Sequence, residues 1–131
     1  MKKNAIIVAK RKTVVARAVI TDGTGKILVN HKSLSAYSDT LLRLIVNEPV
    51  LIAGDLAKKY DITVELNGGG SMARAQAMRA VIAKSLSRKE KSLKKRFLEY
   101  DRSLLVDDKR QTEAQKPYRS SARSLKQTSY R

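Results

Sequence analysis

Thr13-Val14-Val15-Ala16-Arg17-Ala18-Val19-Ile20-Thr21-Asp22-Gly23-Thr24-Gly25-Lys26-Ile27-Leu28-Val29-Asn30 is the stretch on which the fold turns. From Thr13 to Thr21 it mixes β-branched residues with partial alternation, and so reads as a strand. Asp22-Gly23-Thr24-Gly25 is a turn signal with glycines for positive φ, and Lys26 to Asn30 reads as the return strand of a hairpin. Upstream, Ala5 to Ala9 either begins the same strand or forms a short one ahead of it. Lys10-Arg11-Lys12 falls just before the strand, where a loop would present it.

Downstream the periodicity turns helical. Ser38 or Asp39 can cap a helix with apolar positions Leu41, Leu42, Ile45 and Val46. Pro49 is expected to end or kink it near Asn47, because proline lacks the N–H and disfavours helical geometry just before it. Val50 to Ala53 has the residues for one further turn that stops at Gly54. Asp61 to Leu66 alternates polar and apolar, as a half-buried strand does. After Gly68-Gly69-Gly70, Ser71 is a candidate N-cap for a helix from Met72 to Leu86, with Ala75, Met78, Ile82 and Leu86 on one stripe. Arg74, Arg79 and Lys84 are predicted to point largely away from that stripe. Lys91 to Tyr100 reads as a further helix with Leu93, Phe97 and Leu98 as its apolar contacts. The order β-β-α-β-α, with more helix after it, predicts an α+β layer with helices on one sheet face.

The chain has 131 residues, which is one domain or one domain with an appendage. Lys and Arg number 28 against 12 Asp and Glu, a formal charge of 28 − 12 = +16. A compact domain of this size repels itself at that charge, so the surplus calls for a polyanionic partner. The absence of Cys excludes disulfides, Cys-ligated zinc and thiolate nucleophiles, and His31 alone supplies neither a multi-His metal site nor a His-dependent relay. No apolar run approaches the roughly 20 residues that span a bilayer. The short apolar start, Ala5 to Ala9, runs into Lys10-Arg11-Lys12 and is not a signal peptide, so an intracellular protein is expected. Residues 1–100 can build a core. In 101–131 the aliphatic residues larger than Ala are only Leu104, Leu105, Val106 and Leu125, a composition expected to stay disordered until something holds it.

Three basic clusters are the candidates for function. Lys2, Lys3, Lys10, Arg11, Lys12 and Arg17 have no acid beside them before Asp22. Lys84, Arg88, Lys89, Lys91, Lys94, Lys95 and Arg96 are opposed only by Glu90, too few acids for a helix balanced by its own ion pairs. In the tail, Lys109, Arg110, Lys116, Arg119, Arg123, Lys126 and Arg131 are opposed by Glu113. From Lys109 onward an extended chain reaches at most roughly 75–80 Å, enough to track a phosphate backbone well beyond the domain. Tyr118 and Tyr130 are available to stack on bases. Gly68-Gly69-Gly70-Ser71 is neither a Walker A loop nor G-x-G-x-x-G; it is either a tight turn or a close approach of backbone to a phosphate or sugar. No arrangement of acids, Ser and His marks a catalytic relay, so no enzyme activity, cofactor, metal or small-molecule substrate is expected.

Taken together, the segments resemble the universal small-subunit ribosomal protein nine family, called sixteen in eukaryotic cytoplasmic ribosomes, in its archaeal and eukaryotic form. The residues that carry the resemblance are Lys10 to Ala18, Gly23 to Asn30, Gly68-Gly69-Gly70, Gln76 to Lys84 and the closing Gln127-Thr128-Ser129-Tyr130-Arg131, in order along nearly the whole chain. The tail departs from the archaeal pattern at Lys116 to Arg123, where relatives are more glycine- and arginine-rich.

The resemblance implies a two-layer α+β sandwich with a left-handed β-α-β crossover, like the second domain of small-subunit ribosomal protein five. It divides the chain into a globular RNA-binding domain, 1–100, and a basic tail, 101–131, ordered only on RNA. It implies a cytoplasmic ribosome component with no membrane contact. The partners would be small-subunit ribosomal RNA of the head (the 3′ major domain), neighbouring head proteins and the peptidyl-site tRNA. Contacts to ribosomal RNA would fall on Lys10, Arg11, Lys12, Thr13, Arg17, Gly68, Gly69, Gly70, Arg74, Arg79, Lys84, Arg88, Lys94, Lys95, Arg110, Arg119, Arg123 and Lys126. Ser129, Tyr130 and Arg131 would meet the tRNA. A free-standing RNA chaperone shares the charge arithmetic. A small phosphotransferase is a weaker rival without a phosphate-loop motif.

Overall fold

The computed structural model describes residues 5–129. Its elements are β1 (Ile7–Arg11), β2 (Val14–Asp22), β3 (Ile27–Val29), β4 (Lys32–Ser33), α1 (Thr40–Ala53), β5 (Tyr60–Asn67), α2 (Ser71–Lys89) and α3 (Lys91–Tyr100). Short 3-10 turns lie at Leu34–Ala36, Gly54–Lys59 and Arg102–Leu104. One five-stranded sheet has the order β1-β2-β5-β3-β4. β3 and β5 are parallel neighbours joined across α1, a β-α-β crossover. The other pairings are antiparallel.

The alternation in the strands decides which face is covered. Ile7 and Ala9 of β1, Val14, Ala16, Ala18 and Ile20 of β2, and Ile62 and Val64 of β5 are buried on one face. The opposite face carries Val8 and Arg17 outward. α2 covers the buried face, and its Ala75, Ala77, Ala80 and Ala83 let the helix lie close to the small residues of β2. α1 and α3 pack on α2, so α2 is buried on most sides between Ala75 and Leu86; its buried Ser85 hydroxyl donates to the Val81 carbonyl (2.7 Å). The expected α+β class, with helices on one sheet face, is what forms.

Several local expectations are corrected. β3 does not return against β2: β5 inserts between them, and the true hairpin is β1–β2, closed by Lys12 and Thr13 with Lys12 at φ 52°. The Asp22–Gly25 segment crosses the width of one inserted strand, about two strand spacings or ~9.6 Å. Asp61 holds it there: its carboxylate accepts the N–H groups of Thr24 and Lys26 (both 2.8 Å), bonds that keep the acid below its ordinary pKa. A turn signal tells that the chain reverses, not which strand it reverses onto.

Pro49 does not end α1. The helix runs through it to Ala53 and stops at Gly54 (φ 60°), because Pro49 and Ala53 are buried and the packing of the last turn offsets one lost hydrogen bond. Asp39 is the cap, accepting from Leu41 and Leu42 N–H. Ser71 is the first residue of α2 rather than its cap, which is Gly70 with no side-chain bond. In α3, Leu93 and Phe97 are buried but Leu98 is exposed. The folded body continues past α3: Leu104 is fully buried, and Asp107 and Asp108 dock on β1 and α2.

Candidate nucleic-acid interface

Register brings one set of predicted residues together. Val15 pairs with Asn67 and Arg11 with Val14, so the β1–β2 turn lies beside the end of β5 and the glycines that follow it. Gly68 and Gly69 have φ of 80° and 65°. A Cβ on Gly69 would clash with Val14 Cγ2, so the loop is closed tightly onto the hairpin, whereas Gly70 faces open space. Arg74 fastens the loop, its Nε donating to the Gly68 carbonyl (2.8 Å). The first turn of α2 has neither a capping side chain nor an acid, so its leading N–H groups and positive dipole end are free to meet an anion. Lys12, Thr13, Gly68, Gly69, Gly70 and Arg74 thus form one cationic edge.

The root of the tail docks along β1 and reaches this edge at Arg11. Arg11 Nη1 pairs with Asp108 Oδ2 (2.8 Å) while its Nε donates to Gln76 Oε1 (2.7 Å). Lys84 Nζ pairs with Asp107 Oδ1 (2.6 Å) and reaches the Val8 carbonyl (3.2 Å). Lys10 contributes its backbone N–H to Asp107 Oδ1 (3.3 Å). Arg110 folds back on Asp108, its Nη2 2.7 Å from Oδ2. These Arg110 hydrogen bonds, with the charge of Arg11 behind them, pull the Asp108 pKa down to about 2.

Arg79 is placed elsewhere. Its side chain is 15 % exposed and held by Glu48, Asp101 and Ser103, tying α1, α2 and the Arg102–Leu104 turn together. Arg79 does not point away from the apolar stripe as expected but falls on it at helical spacing; Lys84 does lie opposite the stripe and is paired there with Asp107, and Arg11 is in a strand rather than a presenting loop. Arg17 stands on the open sheet face beside Glu65.

Arg88 lies near the far end of α2, about 26 Å along the helix from Ser71, and Lys94 and Lys95 lie on α3, which turns back towards Arg79; all three are exposed. Lys89, there too, pairs with Asp22 (2.9 Å) and sits 5.4 Å from the Tyr60 ring centre. The second cluster is therefore a separate patch. In the tail, Arg123 and Lys116 share Glu113, Lys126 and Tyr118 are exposed, and Arg119 reaches the Arg123 carbonyl (3.4 Å) in a loop closed by Ser120 N–H to Ser124 O (3.1 Å). Ser129 accepts from the Gln127 side chain (2.6 Å). Lys2, Lys3, Tyr130 and Arg131 lie outside the described residues.

Sequence reasoning missed the acids. Asp107, Asp108, Asp101 and Glu48 decide which cations are already spent, and the only sequence signal was that acids recur at 107 and 108 where the tail begins.

The class this defines is a one-sheet α+β domain whose described residues present a cationic glycine edge, a second basic patch and a basic tail, surfaces whose charge suits a polyanion. The family model described as Ribosomal protein S9/S16 matches residues 9–131, and the chain belongs to that family. Curated relatives agree. The chain is 40% identical over 128 residues to the small ribosomal subunit protein uS9 of Methanococcus vannielii, covering 95% of this chain and 96% of the relative. It is 44% identical over 124 residues to the uS9 of Desulfurococcus amylolyticus, covering 93% and 89%. It is 41% identical over 128 residues to that of Picrophilus torridus, covering 96% of each. The likeness is to the archaeal form. This is a structural ribosomal family, not an enzyme family, and places the chain in the small subunit with ribosomal RNA and ribosomal proteins as its partners. Among the described residues, no helix is long and apolar enough to cross a membrane.

Proposed function

We propose that this chain holds ribosomal RNA of the subunit head with its globular part and reaches the peptidyl-site tRNA with its tail. The observation that supports the reading is the course of the tail root, which Lys84 holds along β1 and Arg11 pins next to Lys12, the turn that packs against the Gly68–Gly70 loop at the open N-terminus of α2. A tail anchored there leaves the domain next to the cations that face phosphate. RNA of irregular shape is then gripped through backbone, 2′-OH and shape rather than base sequence. Arg88, Lys94 and Lys95 supply a second grip on the head RNA at the other end of α2. Arg74 supports the glycine loop, and Arg79 supports the helix packing that keeps α2 in place.

The division into a globular part, 1–100, and a basic tail, 101–131, belongs to the same proposal. The first tail residues dock through Leu104, Asp107 and Asp108, and the remainder orders on RNA. Arg110, Arg119, Arg123 and Lys126 follow head RNA inward, and Ser129, Tyr130 and Arg131 meet the tRNA near its anticodon.

Photocrosslinking tests this within assembled subunits carrying peptidyl-site tRNA. A photoreactive residue in place of Lys12 is expected to give adducts to head ribosomal RNA, and one in place of Lys126 adducts to RNA of the decoding region or to the tRNA. Adducts from position 126 confined to the solvent side of the head would defeat the tail's assigned path.

A further inference from the structure

α1 and the β3–β4 edge enclose a groove of about 600 Å³ that the RNA reading does not use. Most of its surface is apolar, from Ile27, Leu28 and Leu34 on one side and Leu44 and Val50 on the other, with serines, Thr40 and Asn47 between them. Beside it α1 exposes Leu41, Leu44 and Leu51 by 56%, 59% and 75%. Leu44 and Leu51 are seven positions apart and share one helix face. A stripe of leucines is costly to leave in water and gains little against a phosphate backbone, so this face calls for protein.

Charge selects among proteins. The groove is lined by Lys26 and Arg43 and by no acid. Arg43 Nε is buried without a hydrogen-bond partner, and its Nη1 reaches only the Ser35 carbonyl, at 3.4 Å. A second copy of this chain would bring the same cations and a +16 charge of its own, and the chain's basic tail would be repelled for the same reason. We infer that the groove receives an acidic segment of a neighbouring small-subunit protein, its aliphatic side chain seated between α1 and β3 and its carboxylate on Arg43. The inference rests on the chain's place in the small subunit and is independent of the tail's destination.

The test is Leu44→p-benzoylphenylalanine in the full chain, assembled into small subunits and irradiated. The expected product is an adduct to one subunit protein, at a segment where Asp or Glu lies within a few residues of Leu, Ile, Val or Met. Arg43→Gln in the same chain should lower its yield about tenfold, since the incoming carboxylate loses its partner. An RNA adduct, an adduct to a second copy of this chain, no adduct, or a yield indifferent to Arg43→Gln overturns the inference. Should the label at position 44 block assembly, Leu51→p-benzoylphenylalanine gives the same reading from the same face. Occupancy of the chain on its ribosomal RNA, measured in the same particles, separates failure here from failure of RNA binding.

Discussion

Gly69 sits where the glycine loop closes on the hairpin, with φ at 65° and no room for a Cβ against Val14. Gly69→Ala is expected to lower unfolding free energy by about 1–3 kcal/mol, combining left-handed backbone cost with overpacking, as read by denaturant titration. An unchanged midpoint would contradict the tight closure of this loop on Val14. At this scale sequence counts charges well and assigns them poorly. Arg74 and Arg88 lie off the apolar stripe of α2, whereas Arg79, four residues after Ala75 and three before Ile82, falls on it; Arg74 fastens a loop, Arg79 is nearly buried and Arg88 is exposed. The difference lies in Glu48 and Asp101, carboxylates distant in sequence that only the tertiary structure brings to Arg79. Composition cannot see such pairings; it fixes only that 12 acids leave most of 28 cations unmatched.

Among the elements, β2, β5, α2 and α3 were legible because their apolar spacing is regular, and their observed bounds fall close to the predicted ones. The hairpin was legible as a reversal and misread as a pairing, since whether another strand inserts depends on Asp61, far along the chain. The glycine triplet and Lys12 were legible as a turn and a basic loop, and their adjacency followed only from the β2–β5 register.

The tail root behaves as an element in its own right. Its carboxylate at Asp108 is depressed to about 2 by Arg110 and, behind it, Arg11. A depressed acid contributes stability that is fully present above its unfolded value, about 3.9, and is lost as pH falls through the folded value. The clamp is therefore expected to be intact at pH 7 and down to about pH 4, and to open as pH falls towards 2. Asp108→Asn should open it at neutral pH. Amide exchange at Lys109 and Arg110 should then rise several-fold while the protection of β5 and α2 is unchanged, because this contact holds the tail and not the core. If exchange in the tail root does not change, Arg11 and Asp108 do not set its exit.

At the scale of the whole molecule, the surplus charge and the apolar groove divide the surface between two kinds of partner. In the proposed function, the glycine edge, the far patch on α2 and α3, and the tail offer their cations to RNA. In the inferred docking, the α1 groove offers its leucines and Arg43 to protein. For duplex-like nucleic acid each neutralised phosphate steepens the fall of log K with log salt by about 0.9, so the affinity of such a surface depends strongly on ionic strength. The ion pairs that bind the tail root are internal and short, which sets the start of the tail's path before RNA is met.

The central claim is that this anchored, basic tail carries its terminal residues to the peptidyl-site tRNA. Its most direct test is the equilibrium affinity of that tRNA for small subunits assembled with the full chain or with a chain lacking Ser129 to Arg131, at matched salt. The account predicts several-fold weaker tRNA binding by the shortened particle, with the globular part still folded and its ribosomal RNA occupancy unchanged. Equal tRNA affinity in the two particles would contradict it.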